Sequence, residues 1–157
     1  MGENARILVI DDDESIRKTL ATILEEKGYA VDTAENGREA IRKSKTKFYN
    51  LALIDIRLPD MEGTKLLTEL KDGTPKMVKI IITGYPSLQN AIEAVNNGAD
   101  AYVLKPFNVD SVLNTIKEHL REQEKAKKYC EEKVAEFIET RVRELEQEKT
   151  TANRKIR

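Results

Sequence analysis

Apolar residues along this chain gather in five short runs, with amphipathic stretches between them. Ile7–Ile10 and Leu51–Ile54 are unbroken and Val78–Thr83, around Ile80-Ile81-Ile82, is read as fully apolar too, the pattern of strands buried on both faces of a sheet. Ala30 to Ala34 alternates weakly with Asp32 outward, which predicts an edge strand, and Ala101 to Leu104 supplies the fifth run. The stretches between carry helical spacing. Ile16, Leu20, Ile23 and Leu24 form one face, and Ala40 and Ile41 a shorter one. Leu66, Leu67 and Leu70 follow, then Ala91, Ile92 and Val95, and last Val109, Val112, Leu113, Ile116 and Leu120. Asp13, Ser87 and Asn108 are placed to cap helices, Asn36-Gly37 to turn into one, and Gly28 and Asn97-Gly98 to end them. Asp72-Gly73, with Pro75 beyond, closes the third helix. Strands alternating with helices predict an α/β fold with a five-stranded, doubly wound parallel sheet. Right-handed crossovers leave few topologies for it.

The polar residues become informative at the ends of those runs. The first strand ends in Asp11 and Asp12, the third in Asp55, the fourth in Thr83 and the fifth in Lys105. In a parallel sheet all of these share one carboxyl edge, where such folds bind ligands. With strand order 2-1-3-4-5 the first and third strands are neighbours at the switch point, and three carboxylates converge. That is costly unless a cation is shared, and hard oxygen donors that keep several waters suit Mg²⁺, for which Mn²⁺ can substitute.

Asp11-Asp12, Asp55 in Leu-Ile-Asp-Ile-Arg-Leu-Pro, Thr83 in Ile-Thr-Gly and Lys105 in Leu-Lys-Pro-Phe together resemble the receiver domain of two-component response regulators. The resemblance covers residues 5–120 and implies a flavodoxin-like fold. It also implies a phosphorylation switch: Asp55 accepts a phosphoryl group from the phosphohistidine of a sensor histidine kinase. Asp11, Asp12, Asp55 and the Arg57 carbonyl would bind the metal, while Lys105, Thr83 and the backbone N–H groups of Ile56, Arg57 and Gly84 would cradle the phosphoryl oxygens. Thr83 and Tyr102 would form the switch that alters the surface of the fourth helix, fifth strand and fifth helix. The Lys105-Pro106 bond resembles the family's cis peptide. Arg57 and Tyr85 flank the path of an attacking water without a group suited to orienting it, so slow self-dephosphorylation is expected. Beyond that self-directed chemistry the chain is expected to be no enzyme.

Residues 1–120 are thus read as a receiver and residues 121–157 as a helical extension of the fifth helix. From Arg121 to Lys149 there is neither Pro nor Gly, and pairs such as Glu124–Lys128 and Glu139–Arg143 have the favoured spacing. A helix from Val109 to Lys149 would be about 60 Å long. Cys130, Val134 and Phe137 follow a heptad seam that Ile138, Val142 and Leu145 continue one residue out of phase. The extension is read as a solvated, fraying helix or linker, or as one that pairs in a homodimer or packs on the receiver or on a partner such as a sensor kinase's helical bundle, with Phe137 and Ile138 at the contact. His119 is read as a surface residue.

Composition narrows the partners. Twenty-seven Lys and Arg against 28 Asp and Glu leave a net charge of −1, which gives no ground for nucleic acid or an anionic membrane. The terminal Arg-Lys-Ile-Arg run is too short to change that. One cysteine, no signal peptide and no apolar run near the roughly 20 residues of a membrane span suggest a cytoplasmic protein. A stand-alone receiver acting through an unknown downstream protein is expected, the alternative being the front of a longer regulator. A haloacid-dehalogenase-like phosphatase, with Asp11 as nucleophile and Asp13 as acid, is the remote competitor. It would need a second acidic pair where this chain has Thr83 and Lys105.

Overall fold

The computed structural model describes residues 5–156, with side chains through 153. Residues 5–123 form one compact unit and residues 124–156 a second. The Arg-Lys-Ile-Arg run at 154–157 lies outside the described side chains.

In the first unit, β1 (Arg6–Ile10), β2 (Ala30–Ala34), β3 (Leu51–Asp55), β4 (Val78–Thr83) and β5 (Ala101–Leu104) alternate with α1 (Glu14–Glu26), α2 (Gly37–Thr46), α3 (Gly63–Glu69) and α4 (Leu88–Asn96). α5 (Val109–Ile156) follows β5. All neighbouring strands pair in parallel, in the order β2-β1-β3-β4-β5. Side chains alternate across the sheet. Ile7, Val9, Leu51, Leu53, Ile80 and Ile82 therefore pack with Leu20 and Leu24 of α1 and Val112 and Ile116 of α5. Leu8, Ile10, Ala52, Ile54 and Ile81 pack on the other face with residues of α2, α3 and α4. The helix boundaries follow from local chemistry. Asp13 accepts from the Ile16 N–H, Asn36 from Glu39, Ser87 from Asn90, and Asn108 from Ser111. Gly28 and Gly98, at φ 94° and 98°, leave α1 and α4 in a conformation that side chains disfavour.

The structure corrects three readings of the pattern. On α4 it is Ala94 that is buried, while Leu88, Ile92 and Val95 are 79%, 51% and 70% exposed. Ala94 belongs to the buried cluster on that face of the sheet, against which Tyr102 of β5 also packs. β4 is not wholly apolar, because Lys79 is buried within it. Asp32, on edge strand β2, is half-buried rather than outward: it accepts from the Tyr49 hydroxyl at 2.7 Å and pairs with Arg6 and Lys47. Burial opposes ionisation of Asp32, but these donors outweigh it and hold the carboxyl below its ordinary range.

In the second unit, residues 124–153 are exposed throughout, including Val134, Phe137, Ile138, Val142 and Leu145. Glu139–Arg143 pairs at 2.8 Å and Arg141–Glu144 at 3.1 Å. The anticipated Glu124–Lys128 pair is not among the ion pairs of the described residues, where both side chains stay in solvent. No helix among the described residues is long and apolar enough to cross a membrane.

Candidate functional site: an acidic cluster at the carboxyl edge of the sheet

β1 and β3 are adjacent, with Ile10 opposite Ile54, so Asp11 and Asp55 leave the sheet side by side. Asp11, Asp12 and Asp55 each offer a carboxylate oxygen, and these atoms lie within 4.8 Å of one another. Asp11 and Asp55 are buried and Asp12 is exposed. The β1–α1 loop is held by two local bonds: the Asp13 N–H donates to Asp11 Oδ1 at 2.9 Å, and Arg17 donates to the Asp11 carbonyl at 2.7 Å.

Lys105 answers the negative charge. Its Nζ lies 2.8 Å from Asp11 Oδ2 and 3.3 Å from Asp55 Oδ2. The Lys105–Pro106 bond that follows is cis, as the receiver resemblance implies, and so is Thr74–Pro75. Burial first, and the charge of Asp11 second, push the Asp55 carboxyl above its ordinary range. Lys105 and the Arg57 N–H, 3.2 Å from Asp55 Oδ1, oppose that shift. Burial alone would lower the Lys105 ammonium, but its bonds and attraction to Asp11 and Asp55 prevail and raise it.

Thr83 is fully buried at the end of β4, and its hydroxyl accepts from the Tyr85 N–H at 2.9 Å. Gly84 lies beside the Lys105 stem, where a Cβ would be in ordinary contact. The Arg57 guanidinium stacks on the Tyr85 ring. Tyr102 points inward, and its hydroxyl is buried with no hydrogen-bond partner among the described residues. The structure therefore brings Asp11, Asp12, Asp55 and Lys105 into one cluster, and sets Thr83 on the neighbouring strand with its hydroxyl engaged by its own loop.

Two supporting residues escape a reading of strand ends. Asp60 accepts from the Gly37 and Arg38 N–H groups, both at 2.9 Å, and so ties the β3–α3 loop to the N-terminus of α2. Gly63 begins α3 against β3. A Cβ there would run into the Asp55 carbonyl oxygen, so only glycine allows this approach. An Asp followed by a glycine after β3 is visible in sequence, but its partners 22 and 23 residues away are not.

The family model of the response regulator receiver domain matches residues 7–117. The chain belongs to that family, and its fold and role are those of a receiver in phosphorylation-dependent two-component signalling. A CheY-like response regulator receiver domain protein from Methanospirillum hungatei JF-1 is 49% identical, with a TM-score of 0.75, over 78% of this chain and 98% of that one. A response regulator protein from Burkholderia pseudomallei, whose structure holds a phosphorylated aspartic acid, a calcium ion and citrate, is 36% identical. The match has a TM-score of 0.68 and covers 78% of this chain and 72% of that one. The transcriptional regulatory protein ZraR of Klebsiella oxytoca is 40% identical over 76% of this chain and 27% of its own length. The chain thus spans about a quarter of the length of that curated relative.

Proposed function

We propose that Asp55 is the phosphoacceptor of this receiver, and that a sensor histidine kinase is its donor. The observation that carries the reading is one cluster: a buried carboxylate at the end of β3, two further carboxylates within 4.8 Å, and Lys105 bridging two of the three. An Asp55 oxygen attacks the phosphorus of the donor, the bond from phosphorus to the donor's imidazole nitrogen breaks, and that nitrogen takes up a proton. Lys105 supplies the fixed positive charge that a phosphoryl oxygen on Asp55 meets, and the Arg57 N–H already orients the acceptor carboxylate. The three carboxylates are hard oxygen donors that fit Mg²⁺, with the Arg57 carbonyl as a further proposed ligand. When bound, the ion supplies charge neutralisation for the approach of two anions. The Burkholderia relative, with its phosphorylated aspartic acid and calcium ion, supports both readings.

In this reading Thr83 and Tyr102 transmit the change, while Arg57 and Tyr85 lengthen the life of the phosphoryl group. The only reactions promoted are the protein's own phosphorylation and slow dephosphorylation. Output passes through protein–protein contacts, including a homodimer seam at Val134, Phe137, Ile138, Val142 and Leu145. Direct nucleic-acid binding by this chain is no part of the proposal, since its near-neutral charge offers no electrostatic footprint. The exposed, unpaired Cys130 suits the reducing cytoplasm.

Beryllofluoride with Mg²⁺, a stand-in for the phosphoryl group, tests the acceptor. Binding is expected in the parent and to fall to background in Asp55→Asn. Loss in Asp11→Asn with full retention in Asp55→Asn would instead favour the phosphatase reading, against which Asp13 is already committed to capping α1. For the seam, Phe137→Ser with Ile138→Ser is expected to reduce the mass seen by light scattering. A mass unchanged by the double substitution removes dimerisation through this helix.

A further inference from the structure

The β3–α3 loop, residues 56–62, is held at its neck and at its tip. At the neck the Gly63 N–H donates to the Ile56 carbonyl at 2.6 Å, and Arg57 and Glu62 pair as an antiparallel bridge. At the tip Asp60 reaches α2 with both carboxylate oxygens. Oδ1 accepts from the Gly37 N–H and Oδ2 from the Arg38 N–H, each at 2.9 Å. Met61 follows onto the same turn, where a Cβ on Gly37 would run into its thioether. Burial works against ionisation of Asp60, but the two N–H groups outweigh it and hold the carboxyl below its ordinary range. α2 has its own start without this acid. Asn36 caps it, its side chain accepting from the Glu39 N–H at 2.8 Å and its carbonyl from the Ala40 N–H at 3.2 Å. A cap from the helix's own chain serves that helix alone. One from 23 residues away also fixes the loop that carries it.

We propose that Asp60 is a positioning residue for the metal site: its two bonds to α2 hold the loop that carries the Arg57 carbonyl, and so couple divalent-ion binding to the first turn of α2. The inference rests on the proposed role of that carbonyl as a ligand. Arg57 is fixed on one side, where its N–H meets Asp55 Oδ1 at 3.2 Å. The loop beyond it is fixed through Glu62 and Asp60. With Asp60 in place the carbonyl is presented in one position. With the tip untied it holds that position for only part of the time, and apparent affinity falls by that fraction. Coupling of this kind is reciprocal. An ion that binds better to the latched loop also favours the latch, and by the same factor. The first turn of α2 thus reports on the metal without supplying a ligand to it.

The test combines Mg²⁺ titration, followed by NMR, with hydrogen exchange of the Gly37 and Arg38 amides in the parent, Asp60→Ala, Asp60→Asn and Asn36→Ala. In the parent, Mg²⁺ is expected to slow exchange of those two amides by about three- to tenfold more than it slows the interior of α2. Asp60→Ala is expected to weaken Mg²⁺ by about the same three- to tenfold and to abolish the extra protection. Asp60→Asn, which keeps an acceptor oxygen without the charge, is expected to fall between. Asn36→Ala removes a bond from the same helical turn without touching the loop, and is expected to leave Mg²⁺ affinity within about twofold of the parent. Equal affinity in Asp60→Ala and the parent, or an equal loss in Asn36→Ala, overturns the coupling and leaves the three carboxylates standing as the metal site. A parent that binds no Mg²⁺ overturns the metal reading, and the coupling with it. Should Asp60→Ala not fold, exchange in the parent decides alone: no added protection at Gly37 and Arg38 overturns the coupling.

Discussion

Lys105→Met is expected to lower stability by roughly 3 kcal/mol in metal-free buffer, and Mg²⁺ to restore most of that loss. The ammonium sits between Asp11 and Asp55, at 2.8 and 3.3 Å, and both carboxylates are buried. Removing it leaves two like charges facing each other in a site of low dielectric, with no cation to share. A divalent ion that binds only the folded protein repairs the imbalance by mass action. It should therefore stabilise the variant more than the parent, where the lysine competes for the same carboxylates. The pH dependence has a definite sign. Asp55 already titrates above the ordinary carboxylate range, and the repulsion exists only while both acids are ionised. The deficit of the variant should shrink as pH falls through the raised Asp55 value. In the parent, the contribution of Lys105 is fully present below its unfolded value of about 10.4. It is lost as pH rises through its higher folded value. Thermal unfolding in chelator and in Mg²⁺, at neutral and acid pH, measures all of this. Equal midpoints for the two proteins in chelator would sink it.

The second large effect lies at the opposite end of β4. Lys79, with a side chain only 6% exposed, donates to the Leu67 carbonyl at 3.0 Å and pairs with Asp72 at 3.3 Å. Asp72 also accepts from the Met77 N–H at 2.7 Å, so one carboxylate serves both the loop and the buried cation. Asp72→Ala is expected to cost about 3 kcal/mol, because the ammonium is left with a single carbonyl and no counter-charge. Lys79→Met replaces the cation by an apolar chain of similar length and should be nearly neutral. The double variant should then recover most of what Asp72→Ala loses, a coupling that independent sites do not show. Urea unfolding reads both. An Asp72→Ala protein within about 1 kcal/mol of the parent would mean that water reaches Lys79 and does the work of the carboxylate.

These two sites differ in how readily the sequence discloses them. Asp11, Asp55 and Lys105 each end an apolar run, and a parallel sheet carries every such end to one edge, so one-dimensional spacing implies three-dimensional proximity. Lys79 sits inside a run, where a single polar residue among Val78, Ile80, Ile81 and Ile82 does not disturb the strand pattern. What makes it tolerable is a carboxylate in the preceding loop, and nothing local points there. α4 misleads for another reason. Leu88, Ile92 and Val95 have the spacing of a buried stripe, yet the helix turns Ala94 to the core, with Ala91 half-buried and the three larger residues in solvent. The Arg57–Tyr85 stack joins two loops 28 residues apart in sequence. Spacing places each residue beside the site, but only coordinates place them on each other.

The oxygen of Tyr102, sealed in without a partner among the described residues, gives the proposed switch an adjustable weight. A desolvated hydroxyl without a partner costs about 1–3 kcal/mol, and every 1.4 kcal/mol or so is a tenfold change in a two-way balance. A neighbouring carbonyl turned toward that atom, or a water admitted beside it, would tilt the ring's resting preference by an order of magnitude while the acidic cluster stayed as it is. In the proposed switch, sensitivity to the signal and chemistry of the signal can thus drift apart, one set by a phenol and the other by three carboxylates and a lysine.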